Sequence, residues 1–401
     1  MSIKVCGIGV ISSIGVGCRE NFNSLLNHTS GIGELSLFKS SLSLPVGEVK
    51  LTNNELIALL NARYSNAQDA ITPYAHISRT ALLGAVAAKE AIDSASIPAG
   101  KRVGLISSTT VGGMDLSESF YKEFSKDSSK GRLRDIVGHH CASSTDFIAG
   151  QCGIEGFRTT ISTACSSAVN AIIMGAEMLK KGMLDYVVVG GTDALCSFTL
   201  NGFNSLMILD SEPCKPLDAN RKGLNLGEGA GYIVLTNSQE SSTALCYLTG
   251  YANANDAYHQ TASSAEGNGA FMAMEQAIKL HGSKSIDYIN LHGTGTPNND
   301  SSELAAVRRI FGESIPPCSS TKSFTGHTLA ASGGLESVFS VLAITNGALY
   351  GSLRFKDVIE EFNVTPLLES KLGESVNTVL TNSFGFGGNC SSLIFSIKEA
   401  Q

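Results

Sequence analysis

The stretch "STACSSAVNAIIMGAEMLKKGMLDYVVVGG" (residues 162–191) has the pattern of a polar turn, an apolar helix and a buried strand. In the other half of the chain, "FTGHTLAASGGLESVFSVLAITNGALYGS" (324–352) repeats the order of turn, small residues, apolar helix and glycine-bearing exit. This correspondence predicts a duplicated architecture. A junction between the two parts is expected in the polar stretch "TNSQESSTA" (236–244).

The remaining sequence predicts an α/β protein. Short β-branched runs such as "VGLISST" (103–109) alternate with longer helix-like segments such as "SRTALLGAVAAKEAI" (78–92). Such alternation is typical of helices packed on mostly buried strands. The 401 residues are 43% hydrophobic and 16% charged, so the chain can bury a large core.

Charge and cysteine usage exclude several classes of function. The net charge is -7 and no long lysine or arginine run occurs, which argues against nucleic acid or an anionic membrane as partner. The ten cysteines include no C-x-x-C pair and no His/Cys cluster with metal-ligand spacing, so we expect reduced thiols and no metal. The N-terminus resembles a strand and turn rather than a secretion signal, and no apolar stretch approaches about 20 residues. We therefore expect a cytoplasmic protein without a membrane span.

Cys165 lies between a strand-like and a helix-like segment, within "ISTACSSAVN" (161–170). At a helix start, unpaired N–H groups and the helix dipole favour a thiolate and lower its pKa. The small residues around it leave room for a substrate. Taken alone, however, a single cysteine is more often a small buried hydrophobe.

Three further motifs carry polar groups that suit catalysis. His292 ends an apolar strand in "INLHGTGTPNND" (289–300), and His327 begins a helix in "STKSFTGHTLAASGG" (320–334), five residues after Lys322. A helix start disfavours imidazolium, so His327 is expected to be neutral and able to donate a hydrogen bond to developing negative charge. In "TNSFGFGGNCSSLIF" (381–395), glycines allow backbone amides to approach a ligand closely. Each motif alone also fits a turn, a surface lysine or loop packing.

In their order and residues, these four segments resemble the elongating β-ketoacyl-acyl carrier protein synthases, condensing enzymes of the thiolase superfamily. The likeness also includes "KPLDANRKGLNLGEGAGYIVL" (215–235) and "ANANDAYHQT" (252–261). It implies a five-layered αβαβα thiolase-like fold with two pseudo-duplicated halves. The halves would be residues 1–238, with the nucleophile, and 239–401, with the catalytic histidines.

The resemblance also implies roles for single residues. Cys165 matches the acyl-accepting nucleophile, and His292 and His327 match the catalytic histidines. Lys322 matches the lysine of the active-site network, with Glu336 as its ionic partner. The remaining matches concern binding: the backbone N–H groups of Cys165 and Phe386 as oxyanion hole, Phe386 also as the gate, Thr294 and Thr296 on the phosphopantetheine arm, and Val111 and Phe203 along the acyl tunnel.

The implied reaction is decarboxylative Claisen condensation of malonyl-carrier with a cysteine-bound acyl chain, in fatty acid or polyketide biosynthesis. It needs no metal or organic cofactor, since substrates are carried on phosphopantetheine. The partners implied are an acyl carrier protein and either a second copy or a chain-length-factor-like subunit. Candidates for the carrier surface are Lys130, Arg132 and Arg134, with Arg63 as a weaker one; a solvated charged loop is an equally good reading.

The sequence departs from the family pattern in two places. Asn389 and Cys390 stand where threonine and asparagine usually follow the paired glycines, which puts the hydrogen bonding of that loop in doubt. Thr110 and Val111 stand where glycine and isoleucine are common, so the acyl pocket is expected to differ in shape. The stretch around these two residues looks more like synthases of aryl polyene or flexirubin-type pigments.

Two other classes of protein with a related fold also have to be considered. A thiolase acting on CoA thioesters would use a second cysteine as base, and Cys390 lies in a C-terminal loop. The pair His292 and His327 argues against that class, which lacks a Cys-His-His set. A non-catalytic chain-length factor would have the same fold, but such subunits generally replace the nucleophile, and Cys165 is present.

Overall fold

The computed structural model describes residues 3–62, 71, 76–238 and 244–399. The strands are β1 (Ile3–Ser12), β2 (Gly15–Val16), β3 (Ile32–Gly33), β4 (Val46–Gly47), β5 (Val103–Ser108), β6 (Arg158–Ile161), β7 (Tyr186–Asp193), β8 (Gly229–Thr236), β9 (Cys246–Asn255), β10 (Tyr288–Asn290), β11 (Cys318–Ser319), β12 (Ala348–Leu349), β13 (Lys371–Leu372), β14 (Thr378–Gly385) and β15 (Asn389–Ser396). The α-helices are α1 (Cys18–Leu26), α2 (Asn53–Asn61), α3 (Arg79–Ala95), α4 (Met114–Phe124), α5 (Arg134–Val137), α6 (Cys141–Gln151), α7 (Ser167–Lys180), α8 (Ser197–Ser205), α9 (Asn268–His281), α10 (Pro297–Phe311), α11 (Lys322–Thr325) and α12 (Ser332–Asn346).

The main sheet has the strand order β11-β10-β14-β15-β9-β1-β8-β7-β5-β6. In one half, β5 is parallel to β6 and β7, whereas β7 with β8 and β8 with β1 are antiparallel. The other half repeats the scheme, because β10 is parallel to β11 and β14, whereas β14 with β15 and β15 with β9 are antiparallel. This internal symmetry confirms the prediction of a duplicated α/β fold.

Helices α7 and α12 form the central layer between the two halves of the sheet. Helix α12 packs on β7 and β8 on one side and on β14 on the other, and it contacts α7 directly. Helix α3 covers the outer face of one half, and α9 covers that of the other. The layers therefore follow the predicted αβαβα order.

Glycines permit the close packing of α12. A Cβ atom at Gly334 would lie 2.4 Å from the carbonyl oxygen of Gly231 on β8, and one at Gly333 would lie 2.5 Å from Val169 on α7. The stretch Leu329–Asn346 is apolar and long enough to cross a bilayer by composition, yet 89% of it is buried inside the protein. Its hydrophobicity is accounted for by this position in the core.

The predicted junction at 236–244 lies in the connection between β8 and β9. Residues 239–243 of this connection are outside the described residues. The division into 1–238 and 239–401 therefore stays a prediction.

Candidate active site

Cys165 lies in the turn between β6 and α7, as the sequence predicts, and it is 7% exposed. The preceding Ala164 has φ 53°, a left-handed conformation that costs a non-glycine residue about 1–3 kcal/mol. Ser167 stabilises this turn, because its Oγ accepts from the N–H of Thr163 at 2.8 Å and donates to the carbonyl of Ala164 at 2.5 Å. The sharp bend directs the thiol into the cavity rather than into the core.

His327 approaches this thiol from the other half of the fold. Its Nε2 lies 3.0 Å from the Sγ of Cys165, and its Nδ1 lies 2.8 Å from the Oγ of Ser332. Burial, and secondly the charge of Lys322, hold the pKa of His327 well below its usual value. The imidazole is therefore neutral, as expected. Its position also agrees with the sequence prediction, since one short 3-10 turn, Leu329–Ala331, leads from it into α12.

The second histidine, His292, is held by a buried ion pair. Lys322 is 1% exposed and Glu336 is 2% exposed, and their Nζ and Oε1 are in direct hydrogen-bond contact. The same Nζ lies 3.2 Å from the Nδ1 of His292. Since an ammonium can only donate, Nδ1 is the acceptor and Nε2 carries the ring proton. The rings of His292 and His327 meet edge to face at 5.4 Å between centroids.

Burial dominates the pKa values of this cluster. It lowers the pKa of His292 well below the usual value, and the charges of Lys322 and His327 add to the effect. It raises the pKa of Glu336 to about 7, although Lys322 opposes the shift. The site thus combines two neutral imidazoles with one positive ammonium group.

The thiol of Cys165 differs from expectation. Burial raises its pKa to about 12, and Asp193 also raises it, while Lys322 and the backbone N–H groups of Phe386 and Cys165 lower it. The prediction that the helix start would lower this pKa is wrong, because desolvation of the buried sulfur outweighs those favourable terms. At neutral pH the thiol is therefore protonated, and the Nε2 of His327 lies within hydrogen-bond distance of it.

The backbone N–H groups of Phe386 and Cys165 are near enough to the sulfur of Cys165 to lower its pKa. Two features bring β14 to this position. The Oγ of Ser383 donates to the carbonyl of Cys165 at 2.9 Å. A Cβ atom at Gly385 would lie only 3.0 Å from the carbonyl oxygen of Thr163, so the absence of a side chain favours this close approach. Such paired N–H groups suit stabilisation of a tetrahedral oxyanion.

A cavity of about 260 Å³ opens from the cysteine. Its lining includes most of the predicted site residues, namely Cys165, His292, His327, Thr294, Thr296, Phe203 and Phe386. The rings of Phe203 and Phe386 are stacked at 6.0 Å between centroids with 17° between planes. The hydroxyls of Thr294 and Thr296 lie 2.9 Å apart on the same wall. Lys322 lies behind His292, outside the cavity lining.

Val111 does not line this cavity. It is 3% exposed and belongs to an apolar cluster that includes Leu200 and Leu329 and that borders the cavity through Leu224. The hydroxyl of Thr110 donates to the carboxylate of Asp193 at 2.6 Å, so this side chain is held by the protein. A tunnel past Val111 therefore stays a prediction and requires this cluster to open.

Two buried carboxylates escaped the sequence analysis. Asp193, at the end of β7, accepts hydrogen bonds from the N–H of Val111 at 3.0 Å and from the N–H of Ala330 at 2.8 Å. It therefore joins the turn that follows β5 to the segment after His327. Glu303, on α10, accepts a hydrogen bond from the N–H of His292 at 2.9 Å. No sequence motif marks it as a site residue. The one sequence feature that could have indicated Glu303 is its position on the buried face of the helix that follows "HGTGTP".

The remaining predicted residues lie away from the cavity wall. Cys390 is 4% exposed on β15, and burial raises its pKa to about 12. Lys130 pairs with Asp127 at 3.7 Å, and Arg132 pairs with Asp135 at 3.8 Å, in the exposed connection between α4 and α5. Arg134 begins α5 on the same surface, whereas Arg63 lies outside the described residues. Their contact with a carrier stays a prediction.

A buried thiol that shares a cavity with two neutral imidazoles suits acyl transfer through a cysteine thioester, and the duplicated five-layered fold is that of the thiolase superfamily. Comparison with family models shows to which family of that superfamily the chain belongs. Residues 1–241 match the model "Beta-ketoacyl synthase, N-terminal domain", and residues 245–356 match "Beta-ketoacyl synthase, C-terminal domain". The chain belongs to the β-ketoacyl synthase family, and the prediction of a condensing acyltransferase is confirmed.

Individual relatives agree over nearly the whole length. The chain is 29% identical to 3-oxoacyl-[acyl-carrier-protein] synthase 2 of Staphylococcus aureus strain COL, covering 99% of each chain. Among solved structures, the ishigamide ketosynthase/chain length factor has a TM-score of 0.90 at 25% identity, covering 99% of both chains. A chain of the complex between the ketosynthase ApeO and its chain length factor ApeC from Xenorhabdus doucetiae has a TM-score of 0.84 at 29% identity, covering 99% of this chain and 98% of that one.

Proposed function

We propose that this β-ketoacyl synthase extends acyl chains by two carbons, through decarboxylative condensation of malonyl-carrier with an acyl group held on Cys165. The observation that carries the proposal is the 3.0 Å distance between the Sγ of Cys165 and the Nε2 of His327, with His292 on the wall of the same cavity. Nucleophile, base and hydrogen-bond donor therefore meet where one thioester can reach all three.

The first half-reaction loads the enzyme. The sulfur of Cys165 attacks the thioester carbon of an acyl carrier while its proton passes to His327. The backbone N–H groups of Cys165 and Phe386 hold the tetrahedral oxyanion. When the intermediate collapses, the pantetheine thiol leaves with the proton from His327. The acyl group remains on Cys165, and both imidazoles are neutral again.

The second half-reaction uses His292 as a hydrogen-bond donor. Lys322 holds its Nδ1 as an acceptor, so the Nε2–H can point to the thioester oxygen of malonyl-carrier. In the tautomer with its proton on Nε2, and with the Oγ of Ser332 donating to Nδ1, His327 donates to the same oxygen. Carbon dioxide leaves from the malonyl carboxylate as the enolate forms. The enolate carbon attacks the acyl-cysteine, and collapse of the tetrahedral intermediate breaks the carbon–sulfur bond. The sulfur of Cys165 leaves as a thiolate and takes up one proton from water, which restores the neutral thiol. Thr294 and Thr296 line the path of the pantetheine arm.

The substrates thus arrive on phosphopantetheine, and this chemistry calls for no metal or organic cofactor. The S. aureus relative carries the acyl carrier protein in its name. We assign the same type of partner to this chain. The buried location of its apolar helix Leu329–Asn346 supports a protein that works in solution, in the cytoplasm.

A paired subunit completes the proposed assembly, either a second copy or a chain-length-factor-like chain. ApeO was solved with such a factor. In this chain, β6 lies at the end of the main sheet, with Arg158 exposed. The helices α4 and α5 expose large apolar side chains, since Tyr121 is 66%, Leu133 is 74% and Val137 is 79% exposed. An exposed edge strand and exposed apolar side chains each suit pairing with another subunit.

The pathway has two candidates, fatty acids and polyene pigments. The polyene reading rests on Thr110 and Val111, whose turn differs from that expected of a fatty-acid enzyme. Purified protein supplied with acyl-carriers of increasing length and unsaturation, together with malonyl-carrier, tests both. Chain extension of long unsaturated carriers supports the pigment assignment, whereas extension of saturated carriers alone supports fatty acids. No extension of any carrier, with or without an added chain-length-factor subunit, contradicts the proposed function.

A further inference from the structure

A polar cluster joins the turn of Cys165 to the glycine loop that bears Phe386. Its centre is Asn389, the first residue after that loop. The Oδ1 of Asn389 accepts from the Oγ of Ser166 at 2.5 Å and from the Nδ2 of Asn170 at 2.9 Å. Ser166 directly follows the cysteine and is fully buried. One side-chain oxygen thus binds two residues at the start of α7.

The same two donors also shape the cysteine turn from within. The one hydroxyl proton of Ser166 is shared between Asn389 and the carbonyl of Thr163, which lies 2.7 Å from the Oγ, and the Nδ2 of Asn170 donates to the Oγ1 of Thr163 at 2.8 Å. Asn389 therefore binds groups that already determine the course of the chain from Thr163 to Ser166. A shift of Asn389 would be transmitted to the residue next to the nucleophile.

This link matters because the two oxyanion N–H groups belong to separate segments. Cys165 lies in the β6–α7 turn, whereas Phe386 lies in the loop between β14 and β15. That loop contains Gly387 and Gly388 with φ of 82° and 78°, a conformation that glycine adopts without strain. The middle of the loop is bound on its other side, because the N–H of Gly387 donates to the carbonyl of Gln260 at 2.7 Å and the carbonyl of Gly388 accepts from the N–H of Asp256 at 2.8 Å. Neither of these contacts reaches the cysteine turn.

The loop is instead held at both ends against the cysteine turn. Three residues before Phe386, the Oγ of Ser383 donates to the carbonyl of Cys165 at 2.9 Å. Three residues after Phe386, Asn389 accepts from Ser166. Together these two hydrogen bonds bracket Phe386 and determine how far its N–H lies from that of Cys165.

We propose that Asn389 is a positioning residue for acyl transfer: by binding Ser166 and Asn170, it holds the N–H of Phe386 in register with the N–H of Cys165. This inference rests on the proposed function. It also assigns a role to a residue at which the sequence departs from the usual family pattern.

The test compares the two half-reactions in Asn389→Ala. Acylation, followed by intact-mass measurement of the loaded protein, needs the oxyanion N–H pair. Decarboxylation of malonyl-carrier, followed by carbon dioxide release, uses His292 and His327 instead. We expect acylation to slow about tenfold or more while decarboxylation changes less than about twofold, since the loss of one oxyanion donor costs about 10²–10³ in rate. A general loss of folded enzyme would lower both rates equally.

Two further variants sharpen the result. Asn389→Asp keeps an acceptor oxygen and should restore acylation to within about threefold of wild type. Asn346→Ala is the matched control, because its Nδ2 donates within α12, to the carbonyl of Leu342 at 2.9 Å, and the residue lies outside the polar cluster. We expect it to acylate at the wild-type rate. Should Asn389→Ala fail to fold, Ser166→Ala removes the donor of the same link and should show the same split.

The outcomes separate this inference from the proposed function. Wild-type acylation by Asn389→Ala, or an equal loss of acylation and decarboxylation, would overturn the positioning role. Absence of acylation in the wild-type protein would instead overturn the proposed function. Slow acylation with intact decarboxylation, restored in Asn389→Asp, supports both.

Discussion

The Nζ of Lys322 lies 3.2 Å from the Nδ1 of His292, and both residues are buried. This contact determines which ring nitrogen of His292 carries the proton, because the ammonium has no lone pair to offer. His292 is thereby prepared to donate from Nε2 into the cavity. Glu336 compensates the charge of Lys322, so the ammonium is kept in a site that would otherwise exclude it.

Replacing Lys322 by methionine should therefore separate the two half-reactions. Without the ammonium, His292 is free to place its proton on Nδ1, and the enolate loses a donor. We expect malonyl decarboxylation to fall about 10²-fold and acylation to fall less than about tenfold. Stopped assays of carbon dioxide release and of acyl-protein formation measure the two rates. The exposed Lys284→Met is the control, and undiminished decarboxylation in Lys322→Met would refute this role.

The dependence of acylation on pH follows from the two shifted groups. The raised pKa of Cys165 keeps its thiol protonated, and the lowered pKa of His327 keeps its imidazole neutral. A neutral pair loses no reactivity until the imidazole becomes protonated in acid. We expect the acylation rate constant, measured by rapid quench, to stay flat from about pH 6 to pH 9. A rise centred near pH 8.5 would show instead that a preformed thiolate with an ordinary pKa is the nucleophile.

Much of this site could be predicted from the sequence, because its chemistry is carried by short motifs. Cys165, His292 and His327 each follow a strand or begin a helix, and the structure brings all three to one cavity. The pKa of Cys165 could not be predicted from the sequence, because it depends on how completely distant segments of the chain bury the sulfur. Asp193 was missed for a similar reason. A single buried carboxylate has no sequence pattern, and its donors come from the turn after β5 and from the segment before α12.

Asp193 should matter for stability as well as for the site. Asp193→Ala leaves the N–H of Ala330 buried without an acceptor, at a cost of about 1–3 kcal/mol, and leaves the N–H of Val111 with only its 3.2 Å contact to the Oγ1 of Thr109. We expect a melting temperature several degrees below that of the wild type, and weaker condensation in the protein that remains folded. Asp146→Ala is the control, because its ion pair with Arg158 is exposed and contributes little. Equal melting temperatures for the two variants would show that Asp193 does not contribute to the stability of the fold.

The acyl-chain preference can be tested at Val111 and Phe203. Phenylalanine at position 111 has to enter a packed apolar cluster, at a cost of about 1–3 kcal/mol. If the acyl tail runs through this cluster, Val111→Phe should shorten the longest chain accepted. Phe203→Ala should extend it, because Phe203 already lines the cavity. Kinetics over acyl-carriers of increasing length provide the measurement. An unchanged profile in Val111→Phe would place the tail elsewhere and remove the structural support for a polyene substrate.

Cys165 as the acyl acceptor is the central claim, and intact-mass spectrometry of the protein after incubation with an acyl carrier tests it most directly. The account predicts a mass increase of one acyl group, located by peptide mapping on Cys165 and released by malonyl-carrier as the extended product. Cys165→Ala should show neither mass increase nor product, since it lacks the nucleophile. Cys390→Ser, the control at a cysteine outside the cavity, should load and condense as the wild type does. Acylation of Cys165→Ala, or loss of loading in Cys390→Ser, would contradict the account.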